Sequence, residues 1–203
     1  MNKETAIKQL EELDKQGKNM RLAAEGWDEE WKTLISIILS ARTRDEVTIK
    51  ICTELFKKYA SIDKLSKANL NEIEKIIRPV NFYKNKSKNI SKCVKSLVKK
   101  YKGKVPHDLK DLIELSGVGR KTANVFISEY GKDAIGIDTH VSYISQKLEW
   151  SRNKNPEKIE KDLTNLFPKG YWRKINPTLV RFGKTYTSRK KKDEILEEIR
   201  KIK

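Results

Sequence analysis

Leu115-Ser116-Gly117-Val118-Gly119-Arg120-Lys121-Thr122-Ala123 reads as a Gly-x-Gly turn between two helices. On its upstream side Pro106-His107-Asp108 opens a helix carrying Leu109, Leu112, Ile113 and Leu115. On its downstream side a new helix starts near Arg120 and ends at Gly131. Glycines this close together let the chain reverse tightly and bring its backbone near another molecule. The first N–H groups of the second helix have no intrahelical partner and suit a phosphate. Residues 108–131 therefore read as a helix–hairpin–helix, a sequence-independent grip on a DNA backbone. Gly117, Val118, Gly119, Arg120 and Thr122 are its candidate DNA contacts. A Gly-x-Gly alone is weak evidence; helical stripes on both sides give it weight.

Outward from the hairpin, nearly every segment has helical periodicity. Residues 29–42 place Trp31, Leu34, Ile35, Ile38 and Leu39 on one stripe, and 46–59 repeat the pattern from Val47 to Tyr59. A shorter piece covers 69–77 and is stopped by Pro79; 86–101 give the cleanest stripe, closed by Gly103. Further helices are expected at 139–148, at 156–167 after Asn155-Pro156, at 177–186 after Asn176-Pro177, and at 192–202. No segment alternates as a strand does. The expected fold is all-α, without repeats or a low-complexity linker.

The chain of 203 residues carries a formal net charge of +17 and a mean hydropathy of −0.72. Such an excess of Lys and Arg favours a polyanionic partner, because basic clusters displace counterions from a phosphate backbone. A lysine-biased genome or a solubility surface would give the same count. No run approaches the ~20 apolar residues of a membrane helix, and the N-terminus lacks the apolar core of a signal peptide. The expectation is a cytoplasmic, nucleoid-associated protein with no membrane partner. Cys52 and Cys93 each sit in a helical stripe and read as core residues; two thiols cannot supply a four-ligand metal site. His107 and His140 form no metal cluster with them, and no metal site is expected.

Two residues carry candidate chemistry. Lys121 lies in the first turn of the second hairpin helix, where the positive end of the helix dipole favours a neutral amine. A neutral lysine is a nucleophile; the plainer reading is a solvated phosphate-binding lysine. Seventeen positions on lies Gly136-Ile137-Asp138-Thr139-His140. Asp138 suits a helix N-cap, and a short loop would also let its carboxylate face Lys121. It can do both.

Gly117-Val118-Gly119-Arg120-Lys121-Thr122-Ala123-Asn124-Val125, followed by Ile137-Asp138-Thr139-His140-Val141, resembles the endonuclease III branch of the helix–hairpin–helix glycosylase superfamily. The similarity runs from about Trp31 to Gly183 and includes Leu39-Ser40-Ala41, the Lys86…Ile90 helix start and Val105-Pro106. The resemblance implies two helical lobes, 22–133 with the hairpin and 1–21 plus 134–203, with DNA across the cleft. It implies a monomer acting on double-stranded DNA that contains a damaged base or an abasic site. Lys121 matches the family's Schiff-base lysine and Asp138 its essential aspartate. The implied reaction flips the damaged nucleotide out of the duplex. Asp138 helps deprotonate Lys121 and stabilises charge on the sugar, Lys121 attacks C1′, and β-elimination then breaks the strand. The implied substrates are oxidised pyrimidines. Two alternatives stand beside them: the same chemistry on 8-oxoguanine or a deaminated or mismatched base, and a non-catalytic DNA-binding protein that keeps the hairpin.

The sequence also departs from its relatives. Many of them hold a [4Fe–4S] cluster on four cysteines near the C-terminus. The matching stretch here, Arg181 to Lys190, has no cysteine, so no cluster and no other cofactor is expected. Where the family often has glutamine to fill the gap left by the flipped base, this chain has Arg42. Phe82, in Asn81-Phe82-Tyr83, matches the apolar wedge, although a core aromatic fits the position as well. His140 belongs with the candidate DNA contacts and reads as a helix-start residue rather than an acid or base.

Overall fold

The computed structural model describes residues 2–203, which form twelve helices; no strand occurs among the described residues. The chain divides into two compact units. One is Arg21–Ile127, and the other combines the residues up to Met20 with Ser128–Lys203. The boundary thus falls at Ser128 rather than at 134. Ser128 Oγ already bonds within the second unit, donating to Arg173 O at 3.4 Å.

The unit Arg21–Ile127 is built on α2 (Glu30–Ser40), in which every residue from Trp31 to Leu39 is buried. A helix covered all round must be central. It packs against α3 (Asp45–Lys58) and α6 (Tyr83–Tyr101), while α5 (Leu70–Ile77) lies on α3 and α6. Leu34, Ile35, Leu55, Ile73 and Ile90 are fully buried, each contributing about 1.5–3 kcal/mol of transfer free energy. The short α4 (Ile62–Ser66) was not expected from periodicity, which needs more than its five residues. A cap holds it: Ser61 Oγ accepts from Lys64 N. The helix α6 begins at Tyr83, three residues before the expected start. The hairpin helices α7 (Leu109–Ile113) and α8 (Arg120–Glu129) follow.

In the other unit α1 (Lys3–Gln16) packs on α11 (Lys169–Thr185) and α12 (Arg189–Arg200). The helix α9 (Thr139–Lys147) packs on α10 (Pro156–Leu166), α11 and α12. Leu13, Val141, Ile144, Leu163, Leu179 and Phe182 are among its fully buried core residues. Buried Gln9 is satisfied by Trp150 Nε1 at 2.7 Å.

The expected helix at 177–186 is corrected: α11 starts at Lys169, and Pro177 lies inside it. Proline has no N–H for the carbonyl four residues back. That carbonyl belongs to Arg173, and it accepts from Ser128 Oγ instead. Beside the gap Asn176 Nδ2 donates to Gly136 O at 2.6 Å. One side chain from outside the helix, Ser128, and one of its own, Asn176, thus tie the segment around the proline to the rest of the unit.

Candidate functional site

The hairpin is tied by its own backbone. Asp108 caps α7 through Lys110 N, Leu115 N bonds Leu112 O, and Val118 N bonds Leu115 O at 3.0 Å. The first bond of α8 runs from Ala123 N to Gly119 O. The N–H groups of Lys121 and Thr122 therefore precede the intrahelical ladder. Gly117 adopts φ +84°, and a Cβ there would lie 2.9 Å from Asn89 Cβ. Ser116 Oγ bonds Asn89 Oδ1 at 3.1 Å, so α6 seats the turn through one asparagine.

Val118 turns inward: its side chain is buried and its N–H is used. It anchors the turn rather than offering a donor to DNA. Gly119 is exposed, with nothing within 4 Å of an added Cβ. The two glycines should therefore separate experimentally. Gly117→Ala should lower thermal stability, since it meets both a left-handed backbone and a clash. Gly119→Ala should leave the melting temperature unchanged and weaken DNA binding in a titration.

Lys121 is half-buried in the first turn of α8, whose inward face is Ala123, Asn124, Phe126 and Ile127. Arg120 is exposed and Thr122 half-buried. His107 supports the same region: its Nε2 is 2.8 Å from Glu30 Oε1, and its ring meets Phe126 edge-on at 5.5 Å.

Asp138 caps α9, with Oδ1 accepting from Val141 N at 2.8 Å. Ile135 and Ile137 are buried on either side of Gly136, whose carbonyl is held by Asn176. The approach to Asp138 is thus fixed at alternate residues. One carboxylate oxygen, Oδ1, serves the cap. His140 is half-buried, and its ring lies on Gly183 of α11: a Cβ there would come within 2.9 Å of two ring carbons.

Arg42 and Phe82 are brought together. The guanidinium lies 5.6 Å from the ring centroid, a cation–π distance. Phe82 is 58% exposed, which excludes the core reading of that residue. Both have left-handed backbone, φ +56° and +59°. Asn81 Nδ2 donates to Arg42 O, and Asn81 N donates to Thr43 Oγ1 at 3.2 Å.

With this geometry in view, the family comparison decides the relationship. The family model "HhH-GPD superfamily base excision DNA repair protein" matches residues 35–169. The chain belongs to that superfamily. It is 40% identical to endonuclease III of Thermotoga maritima over 155 residues, covering 76% of this chain and 73% of the relative. It is 36% identical to endonuclease III of Bacillus subtilis over 76% of this chain and 71% of that one. Among solved structures, a trapped endonuclease III–DNA covalent intermediate, an estranged-adenine complex, superposes with a TM-score of 0.84. Its identity is 33%, over 93% of this chain and 89% of the other.

The donor set of this HhH-GPD protein does not fit an iron–sulfur cluster. Cys52 and Cys93 are its only cysteines, both fully buried, in α3 and α6. Four thiolates are needed. Burial raises both thiols well above the usual range, Cys93 to about 12. Among the described residues no group of three or more His, Cys, Asp or Glu could hold a metal ion. Neither thiol should react with a thiol reagent at pH 8 until denaturant is added, and one fast-reacting equivalent in the native protein would contradict the burial.

Asn89 and Lys86 were missed in the sequence. Asn89 carried no sign beyond its place on a helix. Lys86, 7% exposed, reads in the sequence only as a helix start.

Proposed function

We propose that this HhH-GPD protein is a base-excision DNA glycosylase with abasic-site lyase activity, acting on oxidised pyrimidines in duplex DNA. The observation that carries the reading is Lys121 at the start of α8, directly behind the hairpin turn, in a chain similar to an endonuclease III trapped covalently on DNA. The amine of Lys121 attacks C1′ of the flipped nucleotide, and the N-glycosidic bond breaks as the base leaves with a proton. The C1′–O4′ bond then opens, O4′ taking up a proton, and leaves an imine that acidifies C2′; loss of the C2′ proton expels the 3′ phosphate by breaking the C3′–O bond, and water hydrolyses the imine to release Lys121. The carboxylate of Asp138 stabilises the positive charge that develops on the sugar.

The outward N–H groups of Lys121 and Thr122, with Gly119 and Arg120, grip the DNA backbone. Phe82 enters the stack and Arg42 fills the space left by the flipped base. The protein works without an iron–sulfur cluster. Supporting this, α12 is clasped to α9 by Asp193, which accepts from Tyr143 Oη and pairs with Lys147 at 3.1 Å. It acts as a monomer on the nucleoid; no helix among the described residues is long and apolar enough to cross a membrane.

Borohydride trapping on an abasic-site duplex tests the lyase, and a panel of single-lesion duplexes tests the substrate class. A covalent adduct with excision of thymine glycol is expected. Excision confined to 8-oxoguanine or uracil would move the specificity. No adduct from folded protein would remove the lyase.

A further inference from the structure

Lys86 is a buried lysine with no acidic partner. Its Nζ donates to Leu39 O at 2.8 Å and to Ala41 O at 2.5 Å, with Thr43 Oγ1 at 3.4 Å. The two carbonyls lie at the C-terminal end of α2, where carbonyls lack helical partners and a cation is favoured. The next residue along from Ala41 is Arg42. At its other end Lys86 belongs to the first turn of α6, and its own N–H bonds Phe82 O at 3.0 Å. One residue therefore grips the chain ends that carry Arg42 and Phe82, the first by its side chain and the second by its backbone.

We propose that Lys86 is a positioning residue for base extrusion, holding Arg42 and Phe82 side by side as a single DNA-probing unit. The inference rests on the reading of Phe82 as wedge and Arg42 as gap-filler. Both residues adopt a left-handed backbone without being glycine, a conformation that a side chain with a Cβ disfavours. Such a conformation persists only where its surroundings over-determine it. Around Arg42 those surroundings are Lys86, Asn81 and Thr43: Thr43 Oγ1 accepts from Asn81 N, and Thr43 N bonds Ser40 O at 2.9 Å. Burying an ammonium is itself unfavourable, and desolvation pushes Lys86 down to about 8. A packed apolar side chain would avoid that cost but could not bind two carbonyls.

The test uses the full-length protein, an abasic duplex with 2-aminopurine opposite the site, and a single-stranded abasic oligonucleotide. The single strand needs no extrusion. Lys86→Met keeps length and loses every donor. It should cut both the 2-aminopurine fluorescence rise and the duplex cleavage rate about tenfold, the scale of a misplaced positioning group. Cleavage of the single strand should stay within about twofold of wild type. Phe82→Ala is run beside it. If Phe82→Ala suppresses the fluorescence and Lys86→Met does not, the positioning role is wrong and the wedge reading stands. If neither does, the wedge reading fails and takes the positioning role with it. Equal losses on duplex and single strand would make Lys86 merely structural and overturn the proposal. If Lys86→Met does not fold, Lys86→Gln, which keeps one amide donor group, carries the same comparison.

Discussion

Lys121→Ala is expected to give no borohydride-trapped adduct and to cut strand cleavage at an abasic site by at least about 10³-fold, as loss of a covalent nucleophile does. The melting temperature should hold, because the side chain is half-exposed at the start of α8 and the buried face of that helix is made by Ala123, Asn124, Phe126 and Ile127. DNA affinity should change little, since the hairpin backbone remains. Asp138→Asn separates a second function. Asparagine caps a helix as well as aspartate does, so the bond to Val141 N survives and stability with it. Only the negative charge is lost. Base release should therefore slow far more than binding weakens, read by single-turnover kinetics beside a binding titration. An Asp138→Asn variant that unfolded would mean that the cap itself depends on the charge.

Gly183→Ala is expected to have the second largest effect, on stability and activity together. Its added methyl would occupy the space of the His140 imidazole, within 2.9 Å of two ring carbons. Neither side yields easily, because Phe182 beside Gly183 is fully buried and Val141 beside His140 is too. Overpacking of this kind costs about 1–3 kcal/mol. His140 lies two residues after Asp138, in the first turn of α9. Displacing the ring should shift the cap, so cleavage should fall as well. The double variant Gly183→Ala/His140→Ala removes the clash and should recover most of the lost stability in thermal unfolding. Simple addition of the two single effects would show that the contact is not the cause.

The hairpin was legible because two independent patterns converge there, a glycine pair and a helical stripe on either side. Asp138 was legible as a cap from its residue type, and Lys121 as a candidate from its place in a first turn. Their joint role came from resemblance, since spacing alone leaves a phosphate-binding lysine open. What escaped has physical reasons. Pro177 reads as a helix start, and only the fold reveals that Ser128 supplies the hydrogen bond that proline cannot. Lys86 sits among Lys84, Lys88 and Lys92, so a buried cation looks like one more member of a solvated face. Val118 reads as a DNA contact from its place in the Gly-x-Gly turn, but residue type does not reveal that its N–H is spent on Leu115 O.

The left-handed backbone at Phe82 also limits what this position can become over evolutionary time. A wedge needs only bulk and an apolar surface, so isoleucine and valine would serve the duplex as well as phenylalanine. Branching at Cβ makes a positive φ harder to hold, so those two are excluded by the chain before DNA is ever met. Leucine, methionine and tyrosine remain open. In the proposed wedge role, drift at this position is thus channelled toward side chains unbranched at Cβ, and the variety open to it is set partly by one dihedral angle.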